Sequence, residues 1–162
     1  MIEVTHYTGR HEGGTKEYHL SLLFSTATRG ALLIKRWGKI GTDGQVKVEL
    51  AKGTGQEELN KLLRDRSRNG YDMRLVSSNS GRMPDVPTAL ASVLPSKLRS
   101  AVTAAQAKTL DPNLDYDPMR DARNEKFGES VQAQLSAVEQ KRKARDDEEF
   151  LAASQLPNAG LF

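Results

Sequence analysis

Between Ala31 and Leu50 the chain alternates, turns and alternates again, a pattern that an antiparallel hairpin satisfies. Asp43-Gly44 supplies the turn. The strand before it runs from Ala31 to Ile40, apolar at its start, and the return strand runs from Gln45 to Leu50. A period of two puts Leu33, Lys35, Trp37 and Lys39 on one face and Leu32, Ile34, Arg36, Gly38 and Ile40 on the other. On the return strand Val46, Val48 and Leu50 are expected inward, and Gln45, Lys47 and Glu49 outward. Trp37, the single tryptophan, therefore shares a face with two lysines. Lysines rarely line a core, so the indole is expected at the surface between cations. The competing reading is a structural Trp filling the edge of a small core.

Elements on either side extend this hairpin. Tyr18 to Phe24 alternates as a half-buried strand, with Tyr18, Leu20, Leu22 and Phe24 on one face, and Thr26 to Gly30 is a loop. Residues 1–17 read as polar and turn-rich, with Gly9, Gly13 and Gly14. Thr54 and Glu57 have capping-box spacing before a helix whose apolar stripe is Leu59, Leu62 and Leu63. Arg64, Arg66 and Arg68 suit its C-terminal dipole better than the alternative of a nucleic-acid backbone contact, and Asn69-Gly70 stops it. Tyr71 to Val76 adds another strand. The first unit is thus placed at residues 1–78.

Beyond it the composition turns to Ser, Asn, Gly and Pro, and residues 79–93 read as a linker. Residues 94–162 form a helical extension with a flexible tail: a short Ala-rich helix from Leu94 to Leu110, then a long helical pattern opening at Asp117-Pro118. In that pattern Phe127, Val131, Leu135 and Val138 make a seam too narrow to bury itself, so it calls for a protein partner or a second copy of the chain. Lys141 to Arg145 followed by Asp146 to Glu149 fits ion pairs within a helix better than a nucleic-acid contact.

Charge is unevenly spread. Residues 1–80 hold 13 Lys and Arg against 9 Asp and Glu, whereas residues 81–162 hold 11 against 12. The basic half is the half with the tryptophan, which favours a polyanionic ligand there. With no cysteine, disulfides and thiolate metal sites are excluded. No apolar run approaches the roughly 18 residues of a membrane span, and Met1 to Gly13 lacks the order of a signal peptide. A soluble intracellular protein is expected, cytoplasmic or nucleoid-associated, or in the host cytoplasm if viral.

Four blocks in order, Lys16-Glu17-Tyr18-His19-Leu20-Ser21-Leu22-Leu23, Lys35-Arg36-Trp37-Gly38-Lys39-Ile40-Gly41, Gly44-Gln45 and Asn69-Gly70-Tyr71, resemble the WGR domain. That module is known from DNA-damage poly(ADP-ribose) polymerases and from bacterial and phage proteins. The resemblance covers about residues 5–78. It implies an α+β fold, a twisted antiparallel sheet with one packed helix, here followed by the mainly α-helical extension. It also implies that Trp37 packs against a sugar at a DNA strand end, with cations beside it. Lys39 stands where the motif has Arg and cannot reproduce a planar bidentate contact, though phosphate binding survives the change. The 162 residues leave no room for the polymerases' catalytic domain, so their activity is not carried over.

The expected nucleic-acid surface is Trp37, Lys35, Arg36, Lys39, Lys47 and Gln45, with DNA as the main ligand and RNA open to the same chemistry. Arg36 is ambiguous, because it lies on the Ile34 face. No catalytic residue, metal site or cofactor is expected. His6, His11 and His19 lack ligand spacing, and Glu12, Glu17 and Asp43 are not a desolvated pair. Gly53-Thr54-Gly55 could cradle an anion or be a plain turn. The sequence thus points to a non-enzymatic nucleic-acid-binding protein acting on strand ends or single strands. The alternative is an adaptor, or a phage-type accessory factor, that binds a component of nucleic-acid machinery.

Overall fold

The computed structural model describes residues 1–117 and, further along, residues 136, 137, 139–143 and 145. Six strands form one antiparallel sheet: β1 (Ile2–His11), β2 (Lys16–Ser25), β3 (Ala31–Lys39), β4 (Gln45–Ala51), β5 (Tyr71–Leu75) and β6 (Gly81–Met83). Their order is β4-β3-β2-β1-β5, and β6 pairs with the start of β1. Helix α1 (Gln56–Arg68) lies between β4 and β5 in sequence. After β6 come α2 (Val86–Val93), a 3-10 helix (Ser96–Ala101) and α3 (Ala104–Leu110).

The alternation seen in the sequence fixes which side chains go to which layer. Tyr18, Leu20, Leu22, Ala31 and Leu33 form one core with Leu59 of α1. Ile2, Val4, Leu23, Leu32 and Ile34 point the other way and form a second core with α2, α3 and their neighbours. Both faces of the central strands are therefore covered, which is why Ala31 to Ile34 is a continuous buried run.

The hairpin turns as its sequence requires. Trp37 pairs with Gln45, and Gly44 takes φ of 71°. A Cβ at Gly38 would lie 2.7 Å from the Gly44 Cα, and one at Gly44 would lie 2.5 Å from the Trp37 carbonyl oxygen. Two glycines facing each other let the turn fold tightly against the end of β3.

Several expectations are corrected. Residues 1–17, read as turn-rich, contain β1, which lies inside the sheet between β2 and β5. Its core positions include His6, and Gly9 interrupts its pattern, so the hydrophobic alternation is weak. Residues 79–93, read as a linker, hold β6 and α2. Their polar and proline residues do capping work: the Asp85 carboxylate accepts from the Thr88 N–H at 2.7 Å, and a proline occupies the first turn of α2. The single helix expected from Leu94 to Leu110 is a 3-10 helix and then α3. Thr103 and Gln106 form a capping box between them.

Thr54 does not cap α1. Gly55 does, at φ of 74°, with no side-chain bond. Leu50, expected inward, is 57% exposed near the end of the edge strand β4. The seam residues Phe127, Val131, Leu135 and Val138 lie outside the described residues, whereas residues 136, 137, 139–143 and 145 are helical and exposed.

Leu90 of α2 is fully buried in the second core. Leu90→Ala is expected to lower the unfolding free energy by about 2–5 kcal/mol, the range for such core truncations. Urea denaturation measures it, and an effect near zero would mean that α2 does not pack on the sheet.

Candidate nucleic-acid interface

The second half of β3 emerges beyond the cover of α1 and displays Trp37. Tyr18 is its direct cross-strand partner on β2, with the two rings nearly parallel at 13° and 6.0 Å between centroids. Tyr71 meets the Tyr18 ring edge-on at 5.7 Å. The Arg66 guanidinium of α1 sits 4.6 Å over the Tyr18 ring, within cation–π range. Trp37 is half-buried against this group. Both readings from the sequence hold something: the indole rests on core aromatics and still faces open space.

That open space is two adjoining hollows sharing Trp37 and Tyr71. One, of about 340 Å³, is walled by those residues together with Tyr18, Leu62, Arg66, Lys35 and Lys47. The other, of about 380 Å³, is completed by Thr15, Lys16, Gly38 and Lys39.

Cations flank the tryptophan in two opposed pairs. Lys35 faces Lys47 across β3 and β4, and Lys16 faces Lys39 across β2 and β3. Like charges directly opposite destabilise a sheet. The first pair is relieved by Glu49, whose carboxylate bridges both ammoniums, 2.8 Å from Lys47 and in direct contact with Lys35. Hydrogen bonds from Lys35 and then Lys47 hold the Glu49 carboxyl below its ordinary pKa. The Lys35 side chain is only 16% exposed, so its charge is largely committed to this bridge. Among the described residues, Lys16 and Lys39 make no ion pair.

Of the six residues expected at the surface, Trp37, Lys35, Lys39 and Lys47 line the hollows. Gln45 is exposed beside Trp37 on β4 but lines neither. Arg36 lies on the opposite face. Its Nη2 donates to His19 Nε2 at 2.7 Å, and Glu17 Oε1 is 3.3 Å from the same nitrogen. Sequence reasoning missed Lys16, Tyr18, Leu62, Arg66 and Tyr71. Lys16 and Tyr18 could have been found by extending the alternation of β2. Arg66 was hidden by its equally good fit to a helix C-terminus, where the last turn holds it and Arg68. The Gly53-Thr54-Gly55 loop borders a hollow that also carries Glu57 and Glu58, carboxylates that oppose an anion there.

A sheet of this order, with its tryptophan between lysine pairs, agrees with the family comparison, in which residues 5–78 match the model of the WGR domain. This segment is a WGR domain. No curated protein and no solved structure matches the chain. The WGR domain is in general a nucleic-acid-binding module and not catalytic by itself. Trp37-Gly38-Lys39 stands at its signature tripeptide, and the Gly is explained by the turn geometry above. The match ends at residue 78, while the sheet takes in β6 and its second face is covered by residues up to Leu110. No helix among the described residues is long and apolar enough to cross a membrane.

The back of the WGR domain carries a stacked histidine pair, His6 buried and His19 partly so. His6 and His19 stack with centroids 5.6 Å apart, and His6 Nδ1 is 2.7 Å from Ser21 Oγ. Burial, then the charges of His19 and Arg36, push His6 down to about 4 from 6.5, and burial followed by Arg36 lowers His19 as well. Both are neutral in the folded chain near neutral pH, whereas the unfolded chain takes up protons below about 6.5. Their contribution is thus complete above that pH and is lost as the pH falls below it, for His6 down to about 4. For His6 alone the loss is roughly 3 kcal/mol. Urea melts at pH 7.5, 6 and 5 are expected to show stability falling with acid, with a smaller fall in His6→Gln. A fall that is identical in the two proteins would contradict this assignment.

Proposed function

We propose that the Trp37 face binds a nucleic-acid strand, DNA at a strand end or an exposed single strand, without catalysing a reaction on it. The observation that carries this reading is the Lys16–Lys39 pair, which has no counter-ion among the described residues, directly beside a half-buried tryptophan. A sheet gains nothing structurally from two opposed lysines that lack a counter-ion, whereas a phosphate placed between them satisfies both. Lys35 and Lys47 extend the positive strip beyond Trp37, partly offset by Glu49. Trp37 would stack on a sugar or an unpaired base, a contact worth about 1–3 kcal/mol for a base. Lys39 serves here as a point charge on phosphate, for which the lost guanidinium is not required. Gln45 sits at the rim as a neutral donor, and Arg36 has no direct part.

The C-terminal segment would recruit a protein through Phe127, Val131, Leu135 and Val138, a role that rests on the sequence pattern. Light scattering of the chain with and without residues 118–162 distinguishes this from self-association, which predicts a dimer mass for the full chain and a monomer mass for the shortened one.

Titration of the protein into a fluorescein-labelled oligonucleotide, followed by anisotropy so that every variant can be compared, tests the main reading. Trp37→Ala is expected to weaken binding by roughly tenfold or more. Lys16→Ala and Lys39→Ala should each reduce the magnitude of the logarithmic salt slope by about 0.7–0.9. Arg36→Ala should leave affinity unchanged. Unaltered binding in Trp37→Ala, or affinity indifferent to salt, would exclude the proposed surface and favour the adaptor reading.

A further inference from the structure

The two hollows beside Trp37 differ in chemistry, and the difference bears on what kind of strand the protein prefers. The Lys16–Lys39 hollow is bordered by Gly38 and by an opposed pair of cations, a setting for sugar and phosphate. The other is walled by Tyr18, Trp37, Tyr71 and Leu62, and its two lysines are already bridged by Glu49. Both hollows are lined mainly by apolar surface, and the cations are partly neutralised only in the second.

Arg66 is the unexplained group in that second hollow. It makes no ion pair among the described residues, and its Nε is buried with no hydrogen-bond partner there. Donors in native proteins are almost always satisfied, and Arg66, which lines the cavity, has no hydrogen-bond acceptor among the described residues, so a ligand there meets an unpaired guanidinium. The guanidinium carbon is also 4.6 Å from the centroid of the Tyr18 ring. A ligand that completes this hollow needs apolar faces for the aromatic walls and an acceptor at its edge for Arg66. A phosphate has acceptors but no faces, and an aliphatic side chain has neither. A nucleobase has both, and at about 340 Å³ the hollow falls at the lower end of small-ligand sites, roughly 300–1,000 Å³.

We propose that the hollow between Trp37, Tyr71 and Arg66 is a nucleobase pocket, and that the protein selects strands whose terminal nucleotide is unpaired. The inference rests on the nucleic-acid reading above and deepens it. A base held in a duplex is paired and stacked on its neighbours and cannot enter a side pocket without being extruded, whereas an overhanging base enters with little to lose. Trp37 then divides the work. On one side the lysine pair takes the backbone, and on the other the aromatic pocket takes the base.

The test uses the full chain with three oligonucleotides sharing one duplex: blunt-ended, with a one-nucleotide overhang of 2-aminopurine, and with an abasic overhang. The wild-type protein is expected to bind the base-bearing overhang roughly tenfold more tightly than the other two, with the probe's fluorescence changed on binding. Arg66→Leu and Leu62→Trp, the first removing the donor and the second filling the pocket, should abolish that preference, so that each variant binds the base-bearing and abasic overhangs with equal affinity. Their folding is checked by thermal melts, and two different routes to the same loss protect against a fold artefact. Lys39→Ala should weaken all three ligands alike. Equal wild-type affinity for the blunt and base-bearing ends, or an abasic overhang bound as tightly as the base, would overturn the pocket while leaving nucleic-acid binding standing. Binding to none of the three would overturn nucleic-acid binding and the pocket together. A pocket that instead takes an aromatic side chain of a protein would show no base preference at all.

Discussion

The passage of β3 from a fully covered half to an uncovered half is the constraint on which the rest depends. Ala31 to Ile34 is buried on both faces, so a shift of one residue would carry leucines between two different cores. That locks the register of β2, β3 and β4. Everything displayed further along inherits it: Tyr18 must face Trp37, Lys16 must face Lys39, and Lys35 must face Lys47. The binding face is thus positioned by core packing at the other end of the same strands.

Consecutive residues in such a strand serve different layers. Trp37 faces the hollows, while Arg36 turns to the back and bonds His19. The cluster Lys35-Arg36-Trp37-Gly38-Lys39 looks continuous as a string, yet it divides by side in space. Gly38 serves neither face. It makes room for Gly44, keeping the turn close behind the tryptophan.

Much of the front of the molecule was legible from alternation and turn chemistry: β2, the β3–β4 hairpin, α1, β5 and the face shared by Lys35, Trp37 and Lys39. What was not legible has physical reasons. β1 carries His6 at a buried position, where its ring bonds Ser21, and a polar residue satisfied by a distant partner leaves no hydrophobic mark. Residues 79–93 looked like a linker because short helices spend a large share of their residues on caps. Asp85 and Pro87 are part of the start of α2, not a sign of its absence. Leu50 failed for the opposite reason, since its alternation is correct but too little lies over that part of β4 to cover it. Arg66 belongs to the site through the docking of α1 on the sheet, a long-range fact that the helix sequence does not hold.

The central claim is that the front of the sheet, and not the back, meets nucleic acid. Backbone and indole chemical-shift mapping during an oligonucleotide titration tests it most directly. The account predicts shifts concentrated at the Trp37 indole, Gly38, Lys39, Lys16 and Tyr71, with His6, His19 and Arg36 unmoved. Shifts centred on those back-face residues, or none at the Trp37 indole at saturation, would contradict it.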